Sequence, residues 1–312
     1  MLHLKQVEWS FPMKTSSLCL SGNACITNRR QSFQKANHQI SFKVSCISTH
    51  THARKREECS VKAIEVIAIE NLPLITKRSD LADLICSAAK KQDTPIQEKD
   101  VIVITHVAVS KAEGNVINLD EVPPSERAKE IALKVGKEPA LVEVILRETK
   151  EIVRIGPNSL ITETKNGIVC ANAGVDRSNV EGERNVALLP KNPDASAQKI
   201  RQEIKRLTGC DVAVIISDTH GRPLRMGEIN VAIGVAGIKP IRDRRGEKDL
   251  FGYILRIKQT AVADELASAA ELVIGQASEG IPVAIIRGYN YQTAEDASAK
   301  ELTRPKETDL FR

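Results

Sequence analysis

The stretch VAVIISDTHGRPLRMG, Val212 to Gly227, changes character abruptly at its sixth residue. Val212 to Ile216 is an apolar run that reads as a buried strand. Ser217, Asp218 and Thr219 follow, then Gly221, Arg222, Pro223 and Arg225. Ligands in α/β proteins gather where strands end. A carboxylate, a hydroxyl, a glycine bend and two guanidiniums at such a place suit a divalent cation and phosphate oxygens. A surface turn with an Arg–Asp pair is the rival reading.

Working outward, the same alternation of strand and helix recurs on both sides. VKAIEVIAIENLPLI reads as a strand followed by a bend at Leu72-Pro73. SDLADLICSAAKK places Leu81, Leu84, Ile85 and Ala88 on one helical face, with Ser79 as its cap. DVIVITHVAVSKAEGNVINL gives a buried strand, a polar interruption and a second short apolar run. PPSERAKEIALKVG is a helix started near Ser125 and stopped at Gly136, and PALVEVILRETKEIVRIG holds a further helix and a short strand. GIVCANAGVDRSNV begins as a strand and turns at glycine. DASAQKIRQEIKRLTG aligns Ala197, Ile200, Ile204 and Leu207. NVAIGVAGI is apolar and interrupted by glycine, TAVADELASAAELVIG aligns Val262, Leu266, Ala269 and Val273, and IPVAIIRG is a last buried strand. The class is therefore α/β, a mixed α+β sheet architecture. The polar tail from Glu295 lies across the surface or a partner subunit.

Composition excludes several classes. Aromatic residues are 3% of the 312, too few for base-stacking platforms. Residues 1–60 hold nine Lys/Arg against three Glu, so the remainder of a +5 chain is close to neutral, which argues against nucleic acid as a partner. No apolar run is long enough to span a bilayer, so no membrane partner is expected. Residues 1–60 are Ser/Thr-rich, basic and acid-poor, a texture resembling an organellar transit peptide. The favoured reading is a disordered extension or sequence upstream of the true start, ahead of one domain over 61–312, with a cytoplasmic location and an organellar one as the alternative. Cys86, Cys170 and Cys210 stand apart, without CxxC or Cys/His spacing, and are expected as reduced thiols.

Four segments carry candidate chemistry. CANAGVDRSNVEG sets Asp176 two residues after Gly174, with Asn179 following; a local Asx turn is the plain alternative to a metal ligand. Asp176 and Asp218, from separate loops, would suit Mg²⁺ shared with substrate phosphates, with Arg222 on phosphate charge. IGQASEGIP spaces Gly275 and Gly280 like a phosphate loop but has Ile281-Pro282 where Lys-Ser/Thr would complete one. Glu279 in it is a candidate further ligand, and a helix cap at Gly275 explains part of the pattern. In THVAVSKAEG, Lys111 is placed to meet a phosphate. His106 and His220 have neither zinc-site nor triad spacing.

Together, ENLPLI, VSKAEG, CANAGVDRSNV, LLPKNPDASA, DTHGRPLRMGEINVAIGVAG, RDRRGEKDLFG, TAVADELASAAELVIGQASEG and PVAIIRG resemble the GTP-dependent γ-glutamyl ligases that act on coenzyme F420-0. The resemblance runs from about Ile64 to the C-terminus. It implies a homodimer of that family's fold, with GTP, L-glutamate and coenzyme F420-0 as partners. It implies that GTP phosphorylates the phospholactyl carboxylate, and that glutamate then attacks the acyl phosphate. It implies Mg²⁺ or Mn²⁺, two ions, with K⁺ as a further cation. Asp176, Asp218 and Thr219 are the metal ligands it points to, with Glu279, or its rival Gln276, for the second ion; Asp176, Asp218 and Arg222 are the catalytic set. The nucleotide would be touched by the Leu72, Pro73, Leu74, Ile75 bend, by Thr105, His106 and Lys111, by Asn179, and by the turn of Ile274, Gly275, Gln276, Ala277, Ser278, Glu279, Gly280 and Ile281. The chain departs from the family's usual residues at His106-Val107, His220 and Leu224. A metal-dependent nucleotide phosphohydrolase using the same carboxylates is the alternative activity.

Overall fold

The computed structural model describes residues 63–310; the expectations for residues 1–60 lie outside the described residues. In chain order the first part contains β1 (Glu65–Ala68), α1 (Leu81–Lys91), β2 (Val101–Thr105), α2 (His106–Glu113), β3 (Val116–Asn118), α3 (Glu126–Val135), α4 (Pro139–Glu148), β4 (Thr149–Gly156), β5 (Ser159–Thr164) and β6 (Val169–Ala171). There follow β7 (Asn185–Ala187), α5 (Pro193–Thr208), β8 (Ala213–Gly221), β9 (Glu228–Ala236), β10 (Arg242–Asp243), β11 (Gln259–Thr260), α6 (Val262–Ile274) and β12 (Val283–Arg287).

The central sheet has the order β1-β12-β2-β8-β9, antiparallel except for the parallel pair β2–β8. The apolar runs read as doubly buried strands are that. Ile102, Ile104, Val214, Ile216, Val283 and Ile285 face a core closed by α1 and α5, while Val101, Val103, Ala213, Ile215, Ala284 and Ile286 face one closed by α6. Alternation across a pleat puts neighbouring residues on opposite faces, so a sheet covered on both sides needs unbroken apolar strands. A second lobe stacks α3 and α4 on the three-stranded sheet β4-β5-β6, and a smaller cluster under the β3–β7 pair joins it.

The helix stops follow local chemistry. Ser125 Oγ accepts from the Ala128 N–H and Gly136 closes α3 in the left-handed region, as expected. The cap of α1 is Asp80, not Ser79: the Asp80 carboxylate accepts from the Asp83 N–H, while Ser79 Oγ accepts from Thr76 N–H one turn earlier. The polar interruption at Thr105-His106 is the start of α2, which follows β2 without a linker and has no side-chain cap. The buried stripe of α6 is Val262, Ala263, Leu266, Ala267, Ala270 and Ile274, one step round from the expected Ala269 and Val273. Leu207 of α5 is exposed, and Arg201 is buried instead. Its guanidinium bonds Asp211, Glu295 and the Val212 carbonyl, which ties the C-terminal segment back onto this same lobe.

The largest correction concerns the decisive stretch. Strand β8 does not end at Ile216 but runs to Gly221, paired with β9 throughout. A bulge in β9 opposite Ile216 and Ser217, with Ile233 as the extra residue, shifts the register, so that Ile216 faces Gly234 and Ser217 faces Ala232. Bulges bend a strand and re-aim its side chains. The bulge here separates the apolar half of β8 from the half carrying Asp218 and Thr219. Gly234 is required by close approach: a Cβ there would lie 2.5 Å from the Pro193 carbonyl carbon, at the start of α5. Gly234→Ala is expected to lower stability by about 1–3 kcal/mol through overpacking, measured as a shifted denaturant midpoint at unchanged slope.

Candidate active site

Parallel pairing sets Thr105 beside Ser217. The next residue of each chain segment, His106 and Asp218, therefore emerges at the same place. His106 Nε2 lies 3.2 Å from Asp218 Oδ1, and His220 Nε2, two residues along the same strand, lies 3.1 Å from Asp218 Oδ2. Asp218 is 8% exposed and His106 3%. Burial by itself would raise the Asp218 pKa, but the charges and hydrogen bonds of the two imidazoles hold it well below the usual carboxylate range. Burial likewise opposes protonation of His106, and the Asp218 and Asp176 carboxylates outweigh it, so the His106 pKa is raised. Its Nδ1 is buried without a partner.

Asp176 comes from the other lobe. Asn172 and Ala173, both at φ 54°, and Gly174 at φ 68° form a left-handed turn, anchored where Asn172 Oδ1 accepts from the Leu160 N–H. The chain then bridges Asp176 to Ala187. This brings Asp176 Oδ2 to 4.0 Å from His106 Nε2. The Asx-turn alternative is realised as well: the Asp176 carboxylate accepts from the Ser178 N–H and Oγ. Three residues on from Asp176, Asn179 Nδ2 donates to the Gln276 carbonyl and the Asn179 carbonyl accepts from Lys111 Nζ.

These groups line a cavity of about 530 Å³. Leu72, Pro73, Leu74 and Ile75 contribute to its wall, as do Thr105, His106, Lys111, Asn179, Asp176, Asp218, Thr219, Ile274, Gln276, Ala277, Gly280 and Ile281. Gly275, Ser278 and Glu279 do not. The Glu279 carboxylate folds back to accept from the Ala277 N–H, and Gln276 reaches Thr219 in its place. Arg222 is also elsewhere: its guanidinium donates to the Met226 and Gly227 carbonyls and closes the β8–β9 hairpin. Burial, and then the Asp218 charge, push the Cys170 thiol up, and Cys86, Cys170 and Cys210 are all free.

One part of the site was not visible in the sequence. Thr219 Oγ1 lies 2.8 Å from Asn230 Oδ1 and 2.5 Å from Gln276 Oε1, with one proton to serve both oxygens. Gln276 Nε2 bonds Asn230 Oδ1 and Glu271 Oε2, and Asn230 Nδ2 donates to Glu271 Oε2. Asn230 and Glu271 sit inside an apolar strand and a helix whose pattern gave no reason to single them out. The result is a cluster of hard oxygens, from Thr219, Asn230, Gln276 and Glu271, drawn together at one place. With the Asp176 and Asp218 carboxylates beside it, the donor set fits an oxygen-seeking divalent cation. No group of three or more His, Cys, Asp or Glu side chains forms a metal cage among the described residues, so such an ion would need water or substrate to complete its shell.

The family described as F420-0:gamma-glutamyl ligase matches residues 70–288. The chain belongs to this family. The coenzyme F420:L-glutamate ligase of Methanothermobacter thermautotrophicus is 50% identical over 250 residues, covering 80% of this chain and 99% of that protein. The protein of the same name from Methanocaldococcus jannaschii is 51% identical over 253 residues, 80% and 98% of the two chains. That of Methanopyrus kandleri is 47% identical over 255 residues, 80% and 99%. The coverage places the likeness on the part of the chain that holds the cavity. No helix among the described residues is long and apolar enough to cross a membrane.

Asn230→Ala removes the group on which Thr219, Gln276 and Glu271 converge. It is expected to cost about 1–3 kcal/mol, the penalty of leaving buried polar groups unpaired, as read by chemical denaturation.

Proposed function

We propose that this chain is a GTP-dependent ligase that joins L-glutamate to the phospholactyl carboxylate of coenzyme F420-0 through an acyl phosphate. The observation that carries the reading is the meeting of Asp176 and Asp218, from two lobes, on His106 at the wall of the 530 Å³ cavity. Membership of the family and the names of its relatives supply the substrates.

In the first step a carboxylate oxygen of the deazaflavin side chain bonds to the γ-phosphorus, and the bond from that phosphorus to the bridging oxygen breaks, releasing GDP. In the second, the glutamate nitrogen bonds to the acyl carbon, phosphate leaves with the C–O bond, and the nitrogen loses a proton. Phosphoryl transfer asks for positioning and charge neutralisation more than for a protein nucleophile. Asp176 and Asp218 would hold Mg²⁺ or Mn²⁺, with Thr219 and Gln276 as the nearer oxygens for a second ion. When bound, these cations offset the phosphate charge. Lys111, fixed on the Asn179 carbonyl, presents an ammonium to the same space. The Leu72–Ile75 bend and Ile281 give an apolar wall that limits water and suits a purine face.

The homodimer belongs to the proposal. Leu250, Phe251, Tyr253, Ile254 and Ile257, with Leu224 and Met226 of the β8–β9 hairpin, are all exposed. Apolar side chains at this density mark an association surface. Phe251→Glu with Ile257→Glu is expected to give a monomer in analytical ultracentrifugation, and an unchanged sedimentation coefficient would remove this surface from the interface.

The activity is tested by incubating the protein with GTP, Mg²⁺ or Mn²⁺, KCl and coenzyme F420-0, with and without L-glutamate. Glutamate-dependent GDP release together with a deazaflavin heavier by glutamyl units is expected. GDP release without mass gain would replace the ligase by a phosphohydrolase. Asp218→Asn is expected to lower turnover by about a hundredfold or more with the far-ultraviolet circular dichroism retained; a fully active variant would refute the ligand role.

A further inference from the structure

A second cavity, of about 320 Å³, adjoins the first at the end of β8. His220 lines it, and Asp218, 3.1 Å from the His220 imidazole, lines the other. The His220–Asp218 imidazole–carboxylate pair thus has one member in each wall. Strand β9, the start of α5 with Lys191 before it, the first turn of α6, the segment from Ala299 onward, and Asn166, Ile168 and Val169, between β5 and the start of β6, make up the remaining wall. The volume is at the small end of ligand cavities, which run from about 300 Å³.

Its charges are unevenly committed. Lys191, Lys300 and Arg304 line the cavity, and none of the three side chains has an ion pair or hydrogen bond among the described residues. The acids in the same wall are mostly occupied. Asp194 accepts from the Val235 and Ala299 N–H groups and from Ser298 Oγ, and Asp309 has a partner of its own. Asp264 gives one oxygen, Oδ1, to the Ala232 N–H, which leaves Oδ2 for a ligand. It is near enough to His220 for the two to interact electrostatically. Three unpaired cations and one half-used carboxylate beside His220 make a complementary surface for a small molecule carrying two carboxylates and an ammonium.

We propose that this cavity binds the incoming amino acid, a small dicarboxylate, with its carboxylates on Lys191, Lys300 and Arg304 and its amino group between Asp264 and the His220–Asp218 pair. The inference rests on the ligase reading and assigns that reaction's second substrate a place. The amine stands at the His220–Asp218 side of this cavity, the side that faces the phosphate-bearing one, which shortens its path to the activated carboxyl. The cations select for the dicarboxylate over its amide, and none of the three lines the first cavity, so GTP binding is expected to be independent of them.

The test is steady-state kinetics on the whole chain with Lys191→Ala, Lys300→Ala and Arg304→Ala, together with calorimetric titration of L-glutamate. All three side chains are exposed, so truncation leaves both cores untouched. The glutamate KM is expected to rise about tenfold or more in Lys300→Ala and Arg304→Ala, the worth of one charge-assisted contact. The kcat and the KM values for GTP and the deazaflavin stay within about twofold, and Arg304→Lys recovers part of the loss. Glutamate affinity by titration should fall in parallel, a readout that does not require turnover. An unchanged glutamate KM in all three variants, a rise confined to the deazaflavin KM, or a fall in kcat alone would overturn the assignment. A wild-type protein that binds glutamate but makes no product would count against the ligase reading and not against the cavity, whereas one that binds no glutamate would overturn the cavity assignment directly.

Discussion

Asp218 is a carboxylate kept ionised in a place that is almost dry. Taking such a group out of water is costly, and the cost is met only where opposite charge and hydrogen bonds are supplied at close range. Here both oxygens are served, Oδ1 by His106 and Oδ2 by His220. That arrangement depends on the one parallel pair in the central sheet. Because β2 runs alongside β8 with Thr105 facing Ser217, the first residue of α2 is carried to the carboxylate without any loop. The bulge at Ile233 of β9, opposite Ile216 and Ser217, is the second requirement. It lets one strand be wholly apolar between two helical layers and then polar at its tip, with hydrogen bonding to β9 maintained along the way. The covered sheet, the abrupt start of α2 and the long β8–β9 hairpin are all consequences of delivering one buried charge with its partners.

The second lobe exists, on this view, to bring Asp176 to the same point. Three successive residues with positive φ are unfavourable, at about 1–3 kcal/mol for each residue other than glycine, and persist because the surroundings fix them. Asn172 is bound to the Leu160 amide and Asp176 is bridged to Ala187 on either side of the turn. Gly174 is there for space as well as for its φ, since a Cβ would lie 2.6 Å from Leu189. Asn179 then fastens the lobe to both Lys111 and the Gln276 turn. The cavity is closed by these few polar bonds rather than by an apolar seam, which leaves a wall able to adjust around a ligand.

Much of this organisation could be read from the chain, and the exceptions have physical causes. The buried strands were legible because two-sided burial forces unbroken Val/Ile runs. The ends of α3 were legible because Ser125 and Gly136 satisfy or terminate the backbone in the usual ways. The length of β8 was not, since Ser217–Gly221 reads as a turn unless its bulged partner strand is known. Helix α2 was hidden by the lack of a capping residue and of a linker after β2. Among the site residues, Asp176 and Asp218 stood out as carboxylates beside glycine and strand ends. Arg222 stood out equally, yet its guanidinium is used up on the carbonyls of its own hairpin. Asn230 and Glu271 were missed because a polar residue inside an apolar strand or helix differs from a surface one only through contacts made far away in sequence. The choice between Gln276 and Glu279 turns on one rotation of a short turn, beyond what spacing can resolve.

The arrangement of charges also bears on the order in which ligands stabilise one another. The proposed divalent ion finds two carboxylates and several neutral oxygens but, among the described residues, no closed cage of protein ligands. Its remaining ligands would come from water or from the phosphates of the proposed nucleotide, and a phosphate is the better partner once the site excludes solvent. In the proposed reaction cation and nucleotide would then each raise the affinity of the other, by the reciprocity that governs any pair of linked ligands. The second cavity is on different terms. Its cations belong to the protein and need no metal to attract a carboxylate. A common wall at His220 and Asp218 therefore separates a space that is completed by its ligands from one complete beforehand. That difference suits the proposed reaction, in which the acyl phosphate forms before the amine is used and the amine is already in place when it does.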